Sequence, residues 1–134
     1  MARIIGIDYG TRRVGIAATD PMQLIASPLE TIPNHKVIAF LQRYIKSESV
    51  EKIIVGWPLD LSGRAGYTTQ LVGQFLRLLS RYFPHIPTQK YDERYTTKLA
   101  AQELSIAGKK THQQKGHLDA ASASLLLQSY MQHR

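Results

Sequence analysis

Two short apolar runs open the chain. Arg3-Ile4-Ile5-Gly6-Ile7-Asp8 is closed by the turn signal Tyr9-Gly10-Thr11, and Arg13-Val14-Gly15-Ile16-Ala17-Ala18 follows at once. Two such runs around a glycine predict a β-hairpin turning at Gly10. Asp20-Pro21 marks another turn, and Leu24 to Ile32 supplies a third strand, broken at Pro28 or placed by it on a sheet edge. The period then changes. Val37, Phe40, Leu41 and Ile45 recur at helical spacing, which predicts an amphipathic helix over 35–47. Lys52-Ile53-Ile54-Val55-Gly56 returns to a continuous β-branched run, the pattern of a strand buried on both faces, stopped by Gly56 and Pro58.

Leu59 to Gly66 reads as a loop. Leu71, Phe75, Leu78, Leu79 and Tyr82 mark a second helix ended by Pro84. A short strand from Pro87 to Tyr91 runs into Asp92-Glu93-Arg94. A third helix is predicted over 96–107, stopped by Gly108. A basic loop follows over 108–116, and a last helix over 118–131. The order β-β-β-α-β-α-β-α-α predicts an α/β fold: a mixed five-stranded sheet, three antiparallel strands then alternating helices and parallel strands, with helices on both faces. No repeat or linker divides the 134 residues, so 1–134 reads as a single domain.

Acids stand where acids are locally unexpected. Asp8 ends one apolar strand, and Asp92 and Glu93 end another; ligands of open α/β sheets gather outside such carboxyl ends. Turn chemistry alone also accounts for an Asp at a strand end. Asp119 shares a helical face with Ser122, Ala123, Leu126 and Tyr130, a mostly apolar stripe that predicts a carboxylate directed at the sheet. A first-turn Asp also complements the helix dipole, but that role suits a solvent-facing side chain better. Carboxylates gathered at one edge raise one another's pKa and destabilise the fold unless a cation joins them. Mg²⁺ or Mn²⁺ prefers such oxygen ligands, and a pair of ions about 4 Å apart is a known device for phosphodiester cleavage.

Composition narrows the partner. Lys and Arg number 17 against 10 Asp and Glu, a net charge of +7, which suits an anionic partner and nucleic acid first, although it also favours solubility by self-repulsion. Cys is absent, which excludes disulfides, thiolate nucleophiles and Cys-based zinc sites. The run Ile4 to Ile7 is too short for a signal peptide or membrane span, so a cytoplasmic protein is expected.

Four ordered segments are distinctive: Gly6-Ile7-Asp8-Tyr9-Gly10-Thr11-Arg12-Arg13-Val14-Gly15-Ile16-Ala17, Ile54-Val55-Gly56-Trp57-Pro58-Leu59, Asp92-Glu93-Arg94-Tyr95-Thr96-Thr97 and Leu118-Asp119-Ala120-Ala121-Ser122-Ala123. Together they resemble the motifs of the YqgF family of bacterial Holliday-junction-resolvase-like nucleases, over nearly the whole chain. The resemblance implies a ribonuclease-H-like fold and a nuclease that processes the 5′ end of precursor 16S ribosomal RNA. A Holliday-junction resolvase acting on branched DNA is the alternative it carries. It implies an acidic centre of Asp8, Glu93 and Asp119 binding Mg²⁺ or Mn²⁺, with Asp92 beside it as a further candidate ligand. Asp92 and Glu93 are adjacent, so an extended segment sends them to opposite sides, and the resemblance favours Glu93. His117 and Leu118 stand where the family often has a Lys or Arg and an Ile.

Arg12, Arg13, Arg64, Arg94, Lys109, Lys110 and Lys115 fall in predicted turns and loops near the acid-bearing ends, and gathered on one face they would grip a phosphate backbone. The expected partner is therefore precursor rRNA or branched DNA, with ribosomal precursor particles behind the first, no membrane, and a monomer or weak homodimer. Trp57, the sole Trp, either packs at a strand end or stacks on a base, with packing the simpler role. A nucleic-acid-binding protein with little catalysis is a competing class. The likeness of Asp8-Tyr9-Gly10-Thr11 to the phosphate turn of sugar kinases is set aside, since those enzymes need two such domains around a cleft.

Overall fold

The computed structural model describes residues 2–58, 66–92 and 115–134, the last stretch with side chains from Ala120 onward. Strands β1 (Arg3–Tyr9), β2 (Arg13–Thr19) and β3 (Ala26–Pro33) lead through a 3-10 turn at Asn34–Lys36 into helix α1 (Val37–Ser47). Strand β4 (Val50–Trp57), helix α2 (Tyr67–Tyr82), strand β5 (Thr88–Asp92) and helix α3 (Lys115–His133) complete the described elements. They form a five-stranded sheet in the order β3-β2-β1-β4-β5. The β1–β2 and β2–β3 pairs are antiparallel, whereas β1–β4 and β4–β5 are parallel. The mixed sheet expected from the element order is thus formed. The expected helix over 96–107 and nearly all of the loop over 59–66 lie outside the described residues.

Boundaries moved where local bonding, not periodicity, decides them. Helix α2 starts at Tyr67, ahead of its first core residue, because the Thr69 hydroxyl accepts from the Gly66 N–H at 3.1 Å and caps the first turn. Lys115 and Gly116 belong to α3 and not to the preceding loop. The apolar pattern begins only at Leu118, and glycine is a poor helix signal, so the sequence hides that first turn. Pro28 does lie on an edge strand, at a register shift between Ile16↔Glu30 and Ala17↔Pro28.

Strand alternation builds two cores. Ile5 and Ile7 of β1, with Val14, Ile16, Ile53 and Val55, face α1 and α2 and pack on Val37, Leu41, Val72, Phe75 and Leu79. The intervening positions, Ile4, Ala17, Ala26 and Ile54, face α3 and meet Ala123, Leu126, Leu127 and Tyr130. Helices therefore cover both faces, and the continuous apolar run of β4 is the mark of its burial from both sides. Thr19, fully buried between β1 and the β2–β3 turn, uses its hydroxyl to accept from the Ile4 N–H at 3.0 Å and to donate to the Asp20 carbonyl at 2.9 Å.

The second core is thin at one place. A Cβ added to Gly6 would lie 2.5 Å from Leu127 Cγ and 3.0 Å from the Ala123 carbonyl oxygen. Only a residue without a side chain lets α3 lie this close to β1. Gly6→Ala is expected to lower stability by about 1–3 kcal/mol through overpacking. Leu127→Ala alone should cost about 2–5 kcal/mol. Chemical denaturation of both singles and the double should give a double-mutant loss well below their sum, because the truncated Leu127 makes room for the new methyl.

The β2–β3 turn supplies a pH-dependent element. The exposed Asp20 carboxylate accepts from the backbone N–H groups of Met22, Leu24 and Ile25 at 3.2, 2.8 and 2.7 Å. The bond from Ile25, then those from Leu24 and Met22, hold its pKa below the ordinary Asp value. A depressed folded-state pKa contributes stability that is complete above the unfolded Asp range, about 3.9, and is lost as pH falls through the folded value. Asp20→Ala should therefore melt below wild type at pH 7, and the gap should close as both are titrated to pH 2–3.

Candidate active site at the carboxyl edge of the sheet

The carboxyl ends of the parallel strands meet at one edge. Asp8 pairs with Gly15 of β2, and Gly15 with Thr31 of β3. On the other side the β1–β4 register reaches Ile7↔Val55, so the next step brings Asp8 level with Gly56, which pairs with Tyr91 of β5. The resulting row across the sheet reads Thr31, Gly15, Asp8, Gly56, Tyr91. Asp8 is the acid of this row, and both of its strand neighbours, about 4.8 Å away, lack a side chain. It is half-buried and lies on the same face of β1 as Gly6, the face that α3 covers.

Helix α3 is fixed over this row by two hydrogen bonds in its amino-terminal half. The Ala120 N–H donates to Thr31 Oγ1 at 3.1 Å, and one turn on, Ser124 Oγ donates to the Ala26 carbonyl at 3.2 Å. These two bonds orient α3 antiparallel to β1 and bring its amino-terminal end to the Asp8 row. Asp119 is the residue before Ala120, one helical turn before Ala123 and two before Leu127, both fully buried. Its side chain and that of Lys115 lie outside the described residues, although the helix backbone carrying both is described.

Asp92 is placed differently. Tyr91 packs edge-on against Tyr130 of α3 with ring centroids 6.1 Å apart, and its hydroxyl lies 2.6 Å from Ser129 Oγ. Tyr91 therefore faces α3, and alternation puts Asp92, its successor, on the α1–α2 face with Trp57. Asp8 and Asp92 thus share an edge but not a face. Glu93, Arg64, Arg94, Lys109 and Lys110 lie outside the described residues. Among the described residues no group of three His, Asp or Glu side chains could hold a metal ion.

The turn between β1 and β2 brings Arg12 and Arg13 to the same edge. The Gly10 N–H donates to the Arg13 carbonyl at 2.9 Å, and a Cβ at Gly10 would lie 2.6 Å from that oxygen. From outside, Asn34 clamps the turn: its N–H donates to the Arg12 carbonyl at 2.9 Å and its side-chain amide to the Thr11 carbonyl at 2.7 Å. Arg12 is exposed. Tyr9 stacks on Phe75 with centroids 4.4 Å apart, and burial raises its phenol pKa, so it stays protonated in the physiological range.

Trp57 is a packing residue, as the simpler expectation had it. It packs against the α1–α2 core, where a Cβ added to Gly73 of α2 would lie 3.9 Å from its indole, and Lys90 Nζ lies 4.2 Å from its ring centroid. Thr69, buried at the start of α2, donates its hydroxyl to the Pro58 carbonyl and ties α2 to the end of β4. Thr31 and Asn34 escape sequence reasoning because each acts through backbone partners distant in sequence, and Gly15 and Thr69 because their roles depend on strand register and on the end of β4. Only Gly15, a glycine inside a strand, carried a visible signal of close approach.

A family model described as RuvX, Holliday junction resolvase, matches residues 2–133. A protein of Amoebophilus asiaticus named "Putative pre-16S rRNA nuclease" is 45% identical over 133 residues, covering 98% of this chain and 94% of its own. One of the same name from Bacteroides fragilis is 41% identical over 134 residues, covering 98% and 97%. Among solved structures, T. thermophilus RuvC in complex with Holliday junction substrate matches with a TM-score of 0.56 at 17% identity, covering 98% of this chain and 96% of that one. The fold is therefore ribonuclease-H-like, as the element order and the motifs implied.

The Thr31 anchor gives a direct check on this edge. Thr31→Val removes the acceptor of a backbone N–H and should cost about 1 kcal/mol, with faster hydrogen exchange at the Ala120 amide. Thr31→Ser keeps the hydroxyl and should restore the wild-type exchange rate.

Proposed function

The chain belongs to the RuvX Holliday junction resolvase family, and we propose that it is a metal-dependent nuclease that processes the 5′ end of precursor 16S rRNA by phosphodiester hydrolysis. The observation that carries this reading is the placement of Asp8. It stands at the carboxyl edge between two glycines, on the face covered by the helix end that bears Asp119, beside the turn that presents Arg12.

Asp8, Glu93 and Asp119 are the residues that would hold Mg²⁺ or Mn²⁺, and their hard carboxylate oxygens fit these ions. When bound, such ions supply Lewis acidity at the scissile phosphate. Asp92 falls on the face opposite Asp8, which supports Glu93 over Asp92 as the ligand, as the motif resemblance implies. Arg12 and Arg13, held by Gly10 and Asn34, orient the phosphate backbone, with Arg64, Arg94, Lys109, Lys110 and Lys115 as further candidate contacts. Gly15 and Gly56 leave the flanks of Asp8 without side chains, which suits the approach of a bulky polyanion. Work on precursor rRNA would place the protein in the cytoplasm; among the described residues no helix is long and apolar enough to cross a membrane.

Junction cleavage is the second reading, favoured by the family description and by the RuvC likeness. Symmetric cutting of a four-way junction would call for a dimer. The deciding assay incubates the protein with Mg²⁺ or Mn²⁺ and either a precursor 16S 5′ fragment or a four-way DNA junction. Cleavage of the RNA is expected, falling at least 100-fold in Asp8→Asn and Asp119→Asn while RNA binding persists. Activity surviving both substitutions would defeat the carboxylate mechanism; cleavage of the junction alone would favour the second reading.

A further inference from the structure

The helical layer opposite α3 carries a charge distribution that the acidic edge does not explain. From Thr31 to Ser47 and from Gly66 to Tyr91 the sequence contains no Asp or Glu. Those stretches include α1 and α2 and present Lys36, Arg43, Lys46, Arg77 and Arg81, all exposed. On α1 Arg43 and Lys46 stand at i and i+3, with Lys36 in the turn just before the helix, and on α2 Arg77 and Arg81 stand at i and i+4, so each helix lines its cations along its outer face. The nearest acids beyond α1 are Glu48 and Glu51, and Glu48 is engaged with Arg3 at 3.5 Å. An open groove of about 540 Å³ between α1 and Phe83 is bordered by Arg43 and Lys46. It lies where α1 and α2 end, at the amino edge of the parallel strands, the far side of the molecule from Asp8.

We propose that the outer face of α1 and α2 is a second contact surface for the phosphate backbone of nucleic acid, holding the body of the substrate while a distant segment reaches the acidic edge. It rests on the nucleic-acid reading above but not on cleavage. A second copy of this chain is the wrong occupant, because it would bring two uncompensated basic faces together. A polyanion releases counterions on both sides and gains affinity from every cation. α1 and α2 run about 16 and 24 Å, long enough to follow several successive phosphates.

The test is fluorescence anisotropy with labelled duplex RNA in EDTA, at several salt concentrations, so that no catalysis enters. Arg43→Gln/Lys46→Gln and Arg77→Gln/Arg81→Gln are compared with Lys52→Gln/Arg134→Gln, which removes the same charge from the α3 side. Each helix double is expected to weaken binding about tenfold or more at moderate salt. The slope of log affinity against log salt should fall by about 1–2, near 0.9 for each lost phosphate contact. The control double should change neither to that extent. Equal weakening in the control, or none in the helix doubles, overturns the proposal, and so does competition by poly-glutamate as strong as by RNA at equal charge. Melting curves confirm folding, and the singles Arg43→Gln and Arg81→Gln replace any double that melts early. If the wild type binds as expected yet cleaves nothing, the nuclease reading fails while this surface stands.

Discussion

The contact between Gly6 and the backbone of α3 is the constraint on which the rest of the arrangement hangs. Asp8 and the amino-terminal end of α3 come from opposite ends of the chain, and their relative height above the sheet is fixed two residues away, where Leu127 and the Ala123 carbonyl rest against a bare Cα. Interiors pack too tightly to absorb even one added methyl without movement. The Thr31 and Ser124 hydrogen bonds set the helix direction, and the missing side chain at Gly6 sets its distance. A carboxylate centre depends on sub-ångström placement of its members, so a glycine with no polar atom of its own becomes part of the chemistry.

Polar groups elsewhere serve this geometry by satisfying backbone partners at element ends. Asn34 clamps the β1–β2 turn, Thr69 joins the end of β4 to the start of α2, and Thr19 secures the start of β1. Each has a short side chain bonded to main chain, which suits it to fixing a loop without adding bulk. The described part of the acidic edge is thus a set of strand ends held from below by apolar packing and from the sides by short hydrogen bonds.

Much of this was legible in the sequence, for physical reasons. The apolar run of Ile4 to Ile7, the β-branched run of β4 and the helical spacing of Val37, Leu41 and Ile45 are direct images of burial, so strands, helices and their order could be read from them. Asp8 stood out as a charge closing an apolar strand, which turn chemistry or a ligand can each account for, and the ordered motifs decided between them. What periodicity could not give was register. That Gly15, Asp8 and Gly56 lie side by side depends on how three strands align, and that Thr31 meets Ala120 depends on a contact across 89 residues. The charge of α1 and α2 was visible residue by residue, but its concentration on one face needed the sheet topology that puts both helices on the same side.

The late position of α3 has a consequence for how the molecule comes into being. The Ser124 hydroxyl bonds the Ala26 carbonyl across 98 residues, so the apolar underside of the first three strands is covered by a segment made 98 residues later. At typical synthesis rates that interval lasts on the order of 5–20 s. Through it, the β1–β3 meander has one face to cover with α1 and α2 and another still open to water. Until the helix arrives, Ile4, Ala17 and Ala26 are an apolar sheet face without its cover, so the folded sheet depends on a contact that forms only after nearly a hundred further residues.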